Sequence, residues 1–289
     1  MTDQGYSYQE LKDMLARDPK NTLALKEMGN FHHRNSEFDK AIEYYTKALE
    51  IDPNWEVPHY NIGNTMYKIQ KYDEAIAHYQ RAIAIKDDYF KAQFNLGLCY
   101  YRCGNLTAAV DHFSKSANLC PDCLDAYVNL GTIFRDMNDY PRAINSFRKA
   151  LELDPTDPDI YYNLGNIYND MEAWRDAVTH YVKCIELDPF DSKAHNNLAD
   201  SYLKIGKTQD AMDAVEKAIQ LSPDLAAAHC TRGEIFKEMG NFSYALIEFR
   251  KSIPLARNSP FLTQYVQDLI DEVIEEMKKL HPRNGGGHF

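Results

Sequence analysis

Residues 162–170 read YNLGNIYND, and the same phrase returns as YNIGNTMYK at 60–68, FNLGLCYYR at 94–102, VNLGTIFRD at 128–136 and NNLADSYLK at 196–204. The spacing of these copies is 34 residues. Gly29, Gly63, Gly97, Gly131 and Gly165 follow that period, and Ala199 and Gly233 continue it. Ala41, Ala75, Ala109, Ala143, Ala177, Ala211 and Ala245 keep it without a gap. Pro53, Pro121, Pro155, Pro189 and Pro223 mark a third phase, with Asp87 in the second copy. Several independent phases at one period signal a repeat architecture, which has to be recognised before any local reading of the chain.

Within each copy, apolar residues recur at three and four spacing, break near the middle, and resume, as expected for two amphipathic helices. Setting the Gly at the eighth position gives repeats 22–55, 56–89, 90–123, 124–157, 158–191, 192–225 and 226–259. Small residues at positions 8 and 20 are expected to let two helix backbones approach. Pro at position 32 ends the second helix, since the residue before Pro is pushed out of the α region. Residues 1–21 read as a half-repeat cap, 260–280 as a capping helix with a charged outer face, and 281–289 as a flexible tail.

The Gly, Ala and Pro phases, with aromatic Tyr45, Tyr79, Phe113, Phe147, Tyr181 and Phe249 at position 24, resemble the tetratricopeptide repeat (TPR) family over residues 22–259. The resemblance implies an all-α, right-handed α-solenoid of seven helix-turn-helix units with capping helices. It also implies that the first helix of each pair lines a concave, peptide-binding groove. Repeat 7 reads as the weak unit, because Arg232 takes a usually apolar position and Pro254 falls near the end of the second helix.

On that implied groove, position 6 is Asn61, Asn95, Asn129, Asn163 and Asn197 in consecutive repeats. Asn is roughly half a kcal/mol worse than Ala in a helix interior, so the row calls for a reason. An amide offers both a donor and an acceptor, which suits the backbone of an extended peptide. The row resembles the asparagine ladder of O-GlcNAc transferase TPR regions, and on that reading Asn-to-Ala changes should leave the fold intact. The alternative is that these amides bridge neighbouring helices. Tyr60, Phe94 and Tyr162, with Tyr67 and Tyr101, would add aromatic contact area.

Lys26, Asn30, Asn61, Lys91 and Asn95 partly match the two-carboxylate clamp of co-chaperone TPR adaptors. Asn95 stands where that clamp has an Arg, so a bidentate fork is lost. Charge on the groove face is segregated: Lys26, Arg34, Lys68, Lys91, Arg102 and Arg135 lie in repeats 1–4. Asp125, Asp136, Asp159, Asp170 and Asp200 lie in repeats 4–6, interrupted by Lys193 and Lys204.

The 289 residues carry a net charge of −11, which argues against a nucleic-acid groove or an anionic membrane surface as partner. The N-terminal stretch lacks an apolar h-region, and no apolar run is long enough to insert in a membrane. Cys99, Cys103, Cys120 and Cys123 have a spacing near that of a zinc site, but the register puts a helix between the two pairs. The pair CPDC at 120–123 lacks a thioredoxin-type context. Histidines follow the register, with His59, His195 and His229 at position 4 and His78, His112 and His180 at position 23. No phosphate loop, nucleophile elbow or HExxH motif is present.

The expectation is therefore a cytoplasmic, non-catalytic scaffold or adaptor that needs no cofactor or metal. Its partner would be a protein, held by an extended segment. A chaperone C-terminus is one possible ligand, and a place in a larger assembly such as a cilium is another setting.

Overall fold

In the computed structural model, residues 6–257 and 259–280 are described, and they form sixteen helices with no strand among them. The expected tail at 281–289 lies outside the described residues. The helices are α1 (Tyr8–Arg17), α2 (Thr22–Arg34), α3 (Phe38–Ile51), α4 (Glu56–Lys68), α5 (Tyr72–Ile85), α6 (Phe90–Arg102), α7 (Leu106–Leu119) and α8 (Leu124–Asp136). They continue as α9 (Tyr140–Leu153), α10 (Pro158–Asp170), α11 (Trp174–Leu187), α12 (Ser192–Lys204), α13 (Thr208–Leu221), α14 (Ala226–Glu238), α15 (Phe242–Leu255) and α16 (Pro260–Leu280). Two compact units result, one ending at Ser146 and the other beginning at Phe147. No described helix is long and apolar enough to cross a membrane.

In the first unit, α2/α3, α4/α5 and α6/α7 are antiparallel pairs; α1 packs on α2, and α8 on α7. In the second, α10/α11, α12/α13 and α14/α15 pair in the same way, and α16 closes on α15 and α14. That last helix buries Val266, Ile270 and Val273 against Cys230, Ala245 and Phe249.

Each pair turns at the fifteenth position of its repeat. Gly104, Gly206 and Gly240 sit there with φ near +75°, and Ser36, Gln70, Asn138 and Glu172 take the same left-handed conformation. Only Gly enters that region without a Cβ penalty.

The Gly at position 8 has a different role from the expected backbone approach. Its missing side chain is the seat of the position-24 ring of the same repeat. A Cβ built on Gly63 would come 2.6 Å from Tyr79 Cε1, and one on Gly165 2.5 Å from Tyr181 Cε1. Tyr79 and Tyr181 are fully buried in these seats. Repeat 6 confirms the rule by breaking it twice: Ala199 replaces the Gly and Val215 replaces the ring, both fully buried. A smaller partner leaves room for the methyl group.

Arg232 is also paired. Its Nε and Nη2 donate to the Glu248 carboxylate at 3.0 and 2.7 Å, which also accepts from Lys251 and meets His229 Nδ1 at 2.9 Å. The polar residue expected to weaken repeat 7 is thus one arm of a buried ionic network. Pro254 lies inside α15, one residue before its end.

Candidate functional site: the first-helix face

The asparagines of the ladder divide into two kinds. Asn61 donates through Nδ2 to Asn30 Oδ1 at 3.0 Å, Asn95 to Asn64 Oδ1 at 2.7 Å, and Asn197 to Asn166 Oδ1 at 3.0 Å. Each acceptor stands 31 residues earlier, at position 9 of the preceding repeat. The same acceptor oxygen also takes the hydroxyl of its own repeat's position-24 tyrosine: Tyr45 on Asn30 at 2.8 Å, Tyr79 on Asn64 at 2.8 Å, and Tyr181 on Asn166 at 2.7 Å. Asn95 further donates to Tyr60 Oη at 3.2 Å, and Asn197 to Tyr162 Oη at 3.3 Å. These amides join one repeat to the next.

Asn129 and Asn163 behave differently. Each turns its Nδ2 back onto its own helix, Asn129 to the Asp125 carbonyl at 2.7 Å and Asn163 to the Asp159 carbonyl at 2.8 Å. For Asn129 the reason is chemical. Position 9 of the preceding repeat is Leu98, which has no acceptor, and its position-24 ring is Phe113, which has no hydroxyl. Both amides are half-buried and bonded to a carbonyl that already belongs to the helix ladder.

Around Asn95 the first unit holds a pocket of about 210 Å³, lined by Tyr60, Phe90, Lys91, Phe94, Asn95, Cys123 and Asp125. The half-buried rings of Tyr60 and Phe94 lean on the deeper rings of Tyr79 and Phe113, at centroid distances of 5.9 and 5.2 Å. That support fixes the pocket wall. Lys91 is exposed, with its Nζ 6.0 Å from the Phe90 ring centroid. Asn129 follows Asp125 by one helical turn and shares its exposed side.

A second cavity in the first unit, about 370 Å³, is lined by Lys26, Glu27, Asn30, His33, Arg34, Tyr45, Asn61 and Asn64. Lys26, Asn30 and Asn61 of the clamp motif come together here, whereas Lys91 and Asn95 line the other pocket. Lys26 is ion-paired with Glu27, which also accepts from Asn30 Nδ2 at 3.0 Å. Burial alone would raise the Glu27 carboxyl. Hydrogen bonds from Lys26 and Asn30, with the charges of Lys26 and Arg34, outweigh it and hold the group below its usual range. An internal carboxylate thus stands beside the lysine assigned to a ligand's carboxylate.

In the second unit, Asp200, Lys204, Cys230, Glu234, Leu262 and Tyr265 line a cavity of about 280 Å³. Burial pushes both the Asp200 and Glu234 carboxyls up. Glu234, at position 9, accepts the Tyr265 hydroxyl at 2.9 Å across 31 residues. The bridge between position 9 and the next position 6 therefore extends into the cap with new chemistry. Sequence reading singled out the position-6 amides as a row. It missed their position-9 partners, although Asn30, Asn64 and Asn166 occur only where position 24 carries a hydroxyl, which was a usable signal.

The cysteines do not assemble a metal site; among the described residues, no three His, Cys, Asp or Glu groups converge. Cys99 is buried, whereas Cys103 is exposed at the end of α6.

Solved structures share this architecture. The C-terminal part of a TPR repeat-containing protein of Cytophaga hutchinsonii is 19% identical, with a TM-score of 0.67 over 82% of this chain and 97% of that part. YrrB, described as a TPR protein with an unusual peptide-binding site, is 23% identical, with a TM-score of 0.57 over 64% of this chain and 95% of its own. The Cut9–Hcn1 hetero-tetramer of the APC/C gives 17% identity and a TM-score of 0.59, over 92% of this chain and 51% of that one. No curated protein sequence matches. Family models described as tetratricopeptide repeat match residues 21–88, 60–122, 158–191 and 180–213, and one described as TPR repeat matches 131–172. With these matches laid over the helix pairs and their small-residue seats, the chain belongs to the tetratricopeptide repeat family.

Proposed function

We propose that this chain is a non-catalytic protein-binding scaffold that takes an extended segment of a partner on the first-helix face of its first unit. The observation that carries this reading is the pairing of Asn129, whose amide turns back onto the Asp125 carbonyl of its own helix, with the pocket of Tyr60, Phe90 and Phe94. The amide suits a peptide backbone group, returning about 1 kcal/mol net per hydrogen bond. The pocket accepts one apolar or aromatic side chain of the same segment, and Lys91 at its rim favours an acidic neighbour. YrrB, which shares the fold, is described as having a peptide-binding site.

Asn61, Asn95 and Asn197 serve this function indirectly, by fixing the angle between repeats. A ligand held by a terminal carboxylate at Lys26 would have to displace Glu27, so the clamp reading has less support than the pocket reading.

The test is selection of a random peptide library on the full chain, followed by binding of the enriched peptides to Phe94→Ala/Asn129→Ala. Loss of at least ~10-fold in affinity, about 1.4 kcal/mol, with an unchanged melting curve supports the site. Equal binding to wild type and variant removes it, and peptides that bind only with a free C-terminus would favour the Lys26 cavity instead.

A further inference from the structure

Repeats of this chain are joined by a turn spanning positions 31 to 34, closed by the N–H of position 34 on the C=O of position 31. The bond measures 3.4 Å for Trp55–Asp52, 3.3 Å for Tyr89–Lys86, 3.5 Å for Asp191–Asp188 and 3.1 Å for Leu225–Ser222. At Cys123–Cys120 it is 3.0 Å, and at Ser259–Ala256, between repeat 7 and the cap, 2.8 Å. In repeat 3 alone, both ends of the turn are cysteine, and Pro121 and Asp122 form its centre. Both thiols are free and half-buried.

A hydrogen-bonded β-turn brings the Cα atoms of its first and last residues within about 7 Å, and disulfides span Cα separations of about 4.4–6.8 Å. Pro at the second position of the turn presets its φ and reduces the freedom that closure would remove. Cys123 is the N-cap residue of α8 but makes no side-chain cap bond, whereas Asp157 and Asp191 do so at the equivalent place in α10 and α12. Cys120 closes α7 through its backbone N–H to the Ser116 carbonyl.

We infer that Cys120 and Cys123 are a redox-modified pair, oxidised to an intramolecular disulfide by a small disulfide such as oxidised glutathione. The Cys120 thiolate attacks one sulfur of the glutathione disulfide, forming a mixed disulfide and expelling one glutathione thiolate. The Cys123 thiolate then attacks the Cys120 sulfur and expels the second. Two protein thiols are oxidised, one glutathione disulfide is reduced, and the two protons lost by the protein thiols end on the two expelled glutathione thiolates. Burial pushes the Cys123 thiol up, an effect the Ala126 N–H and the Ser116 hydroxyl only partly oppose. Cys123 also lines the Tyr60–Phe94 pocket, so oxidation draws one pocket wall toward the turn.

The experiment uses the full chain carrying Cys103→Ser, which removes the exposed competing thiol. The protein is incubated with oxidised glutathione, quenched in acid, alkylated and digested for mass spectrometry. The expected result is a peptide holding Cys120 and Cys123 that has lost two hydrogens and resists alkylation by at least ~10-fold relative to the reduced sample. In Cys123→Ser, Cys120 should instead keep one glutathione. Full alkylation of both cysteines after oxidation, or a separate glutathione on each, would overturn the inference, as would an unreactive Cys120 in the Ser variant. The readout needs no peptide ligand, so its failure is distinct from failure of the peptide site.

Discussion

Asn95 reaches back 31 residues to Asn64, donating its amide hydrogen to an oxygen that already accepts the Tyr79 hydroxyl. One acceptor thereby ties the two helices of repeat 2 to the first helix of repeat 3. Asn95→Ala breaks that bond and the one to Tyr60, and we expect a loss of about 1–2 kcal/mol. Asn129→Ala gives up one local bond and gains helix propensity, so its stability should stay within ~0.5 kcal/mol of wild type. Urea melts of the two variants separate the classes. This corrects the expectation that every amide of the row could be truncated without cost; equal melts for both variants would restore it.

The ring seat gives a coupled prediction. Gly63→Ala alone forces Tyr79 to move and should cost about 1–3 kcal/mol, the range for overpacking. Adding Tyr79→Val recreates the pair found in repeat 6, and the double variant should be less destabilised than the sum of the singles by at least ~1 kcal/mol. Additive effects in a double-mutant cycle would show that the ring and the glycine are not in contact.

Glu248 is nearly buried, its side chain only 6% exposed. Burial would raise its carboxyl, yet the hydrogen bonds from Lys251, His229 and Arg232 outweigh it and hold the group at about 2. With a folded value below the unfolded one, its stabilisation is full above about 4.5 and is lost as pH falls from there toward 2. Glu248→Gln leaves Arg232 without its counter-charge and should cost about 3–5 kcal/mol, toward the lower end because that side chain keeps 20% exposure. Chemical denaturation at neutral pH measures it, and a loss below ~1 kcal/mol would mean the network is idle.

Histidines respond in a higher range. Burial lowers His33, His59, His78, His112, His180 and His195 from 6.5, so each favours its neutral form in the folded state. Between the folded and unfolded values the unfolded chain binds more protons. Stability from these groups is therefore complete above 6.5 and falls as pH drops below it. The His59–His78 contact of 3.2 Å between Nδ1 atoms needs one neutral acceptor and fails when both rings are charged. A melting midpoint that is lower at about pH 5.5 than at about pH 7.5 is expected, and His78→Phe should flatten the difference; an unchanged slope would count against it.

Removing α16 should unmask Cys230, Ala245 and Phe249, which it covers with Val266, Ile270 and Val273. A solenoid without its polar cap exposes the stripe of its last repeat. A chain ending at Ser259 is expected to aggregate, measured by light scattering, and a monodisperse helical product would contradict this.

The repeat period carried the fold because small residues and Pro act locally, within one helix pair, and recur in phase. The reason for the Gly phase was less accessible. Gly63 and Tyr79 are sixteen residues apart in sequence, and nothing in a helical pattern says which ring lands on which gap. The amide bridges were harder still. Asn64 and Asn95 belong to different repeats and to different phases, so a search that compares like with like passes over the pair. Arg232 looked misplaced for the same reason: its partner Glu248 sits on the second helix, where repeats 2, 3 and 5 carry histidine at that position and repeats 1, 4 and 6 carry Tyr44, Ser146 and Ala214.

The left-handed residue between the two helices of each repeat bears on how such chains tolerate change. Three repeats meet that conformation with Gly, while Gln70 and Glu172 adopt it with a full side chain. Gly in their place should raise stability by up to ~1 kcal/mol each. In every repeat the whole reversal of direction pivots on this one residue. Insertions on either side of it would keep the hairpin while changing its loop, whereas replacing it with Val or Ile should uncouple two helices whose packing faces are untouched. A protein engineer could therefore vary the length of this elbow freely, provided its hinge pin keeps its hand.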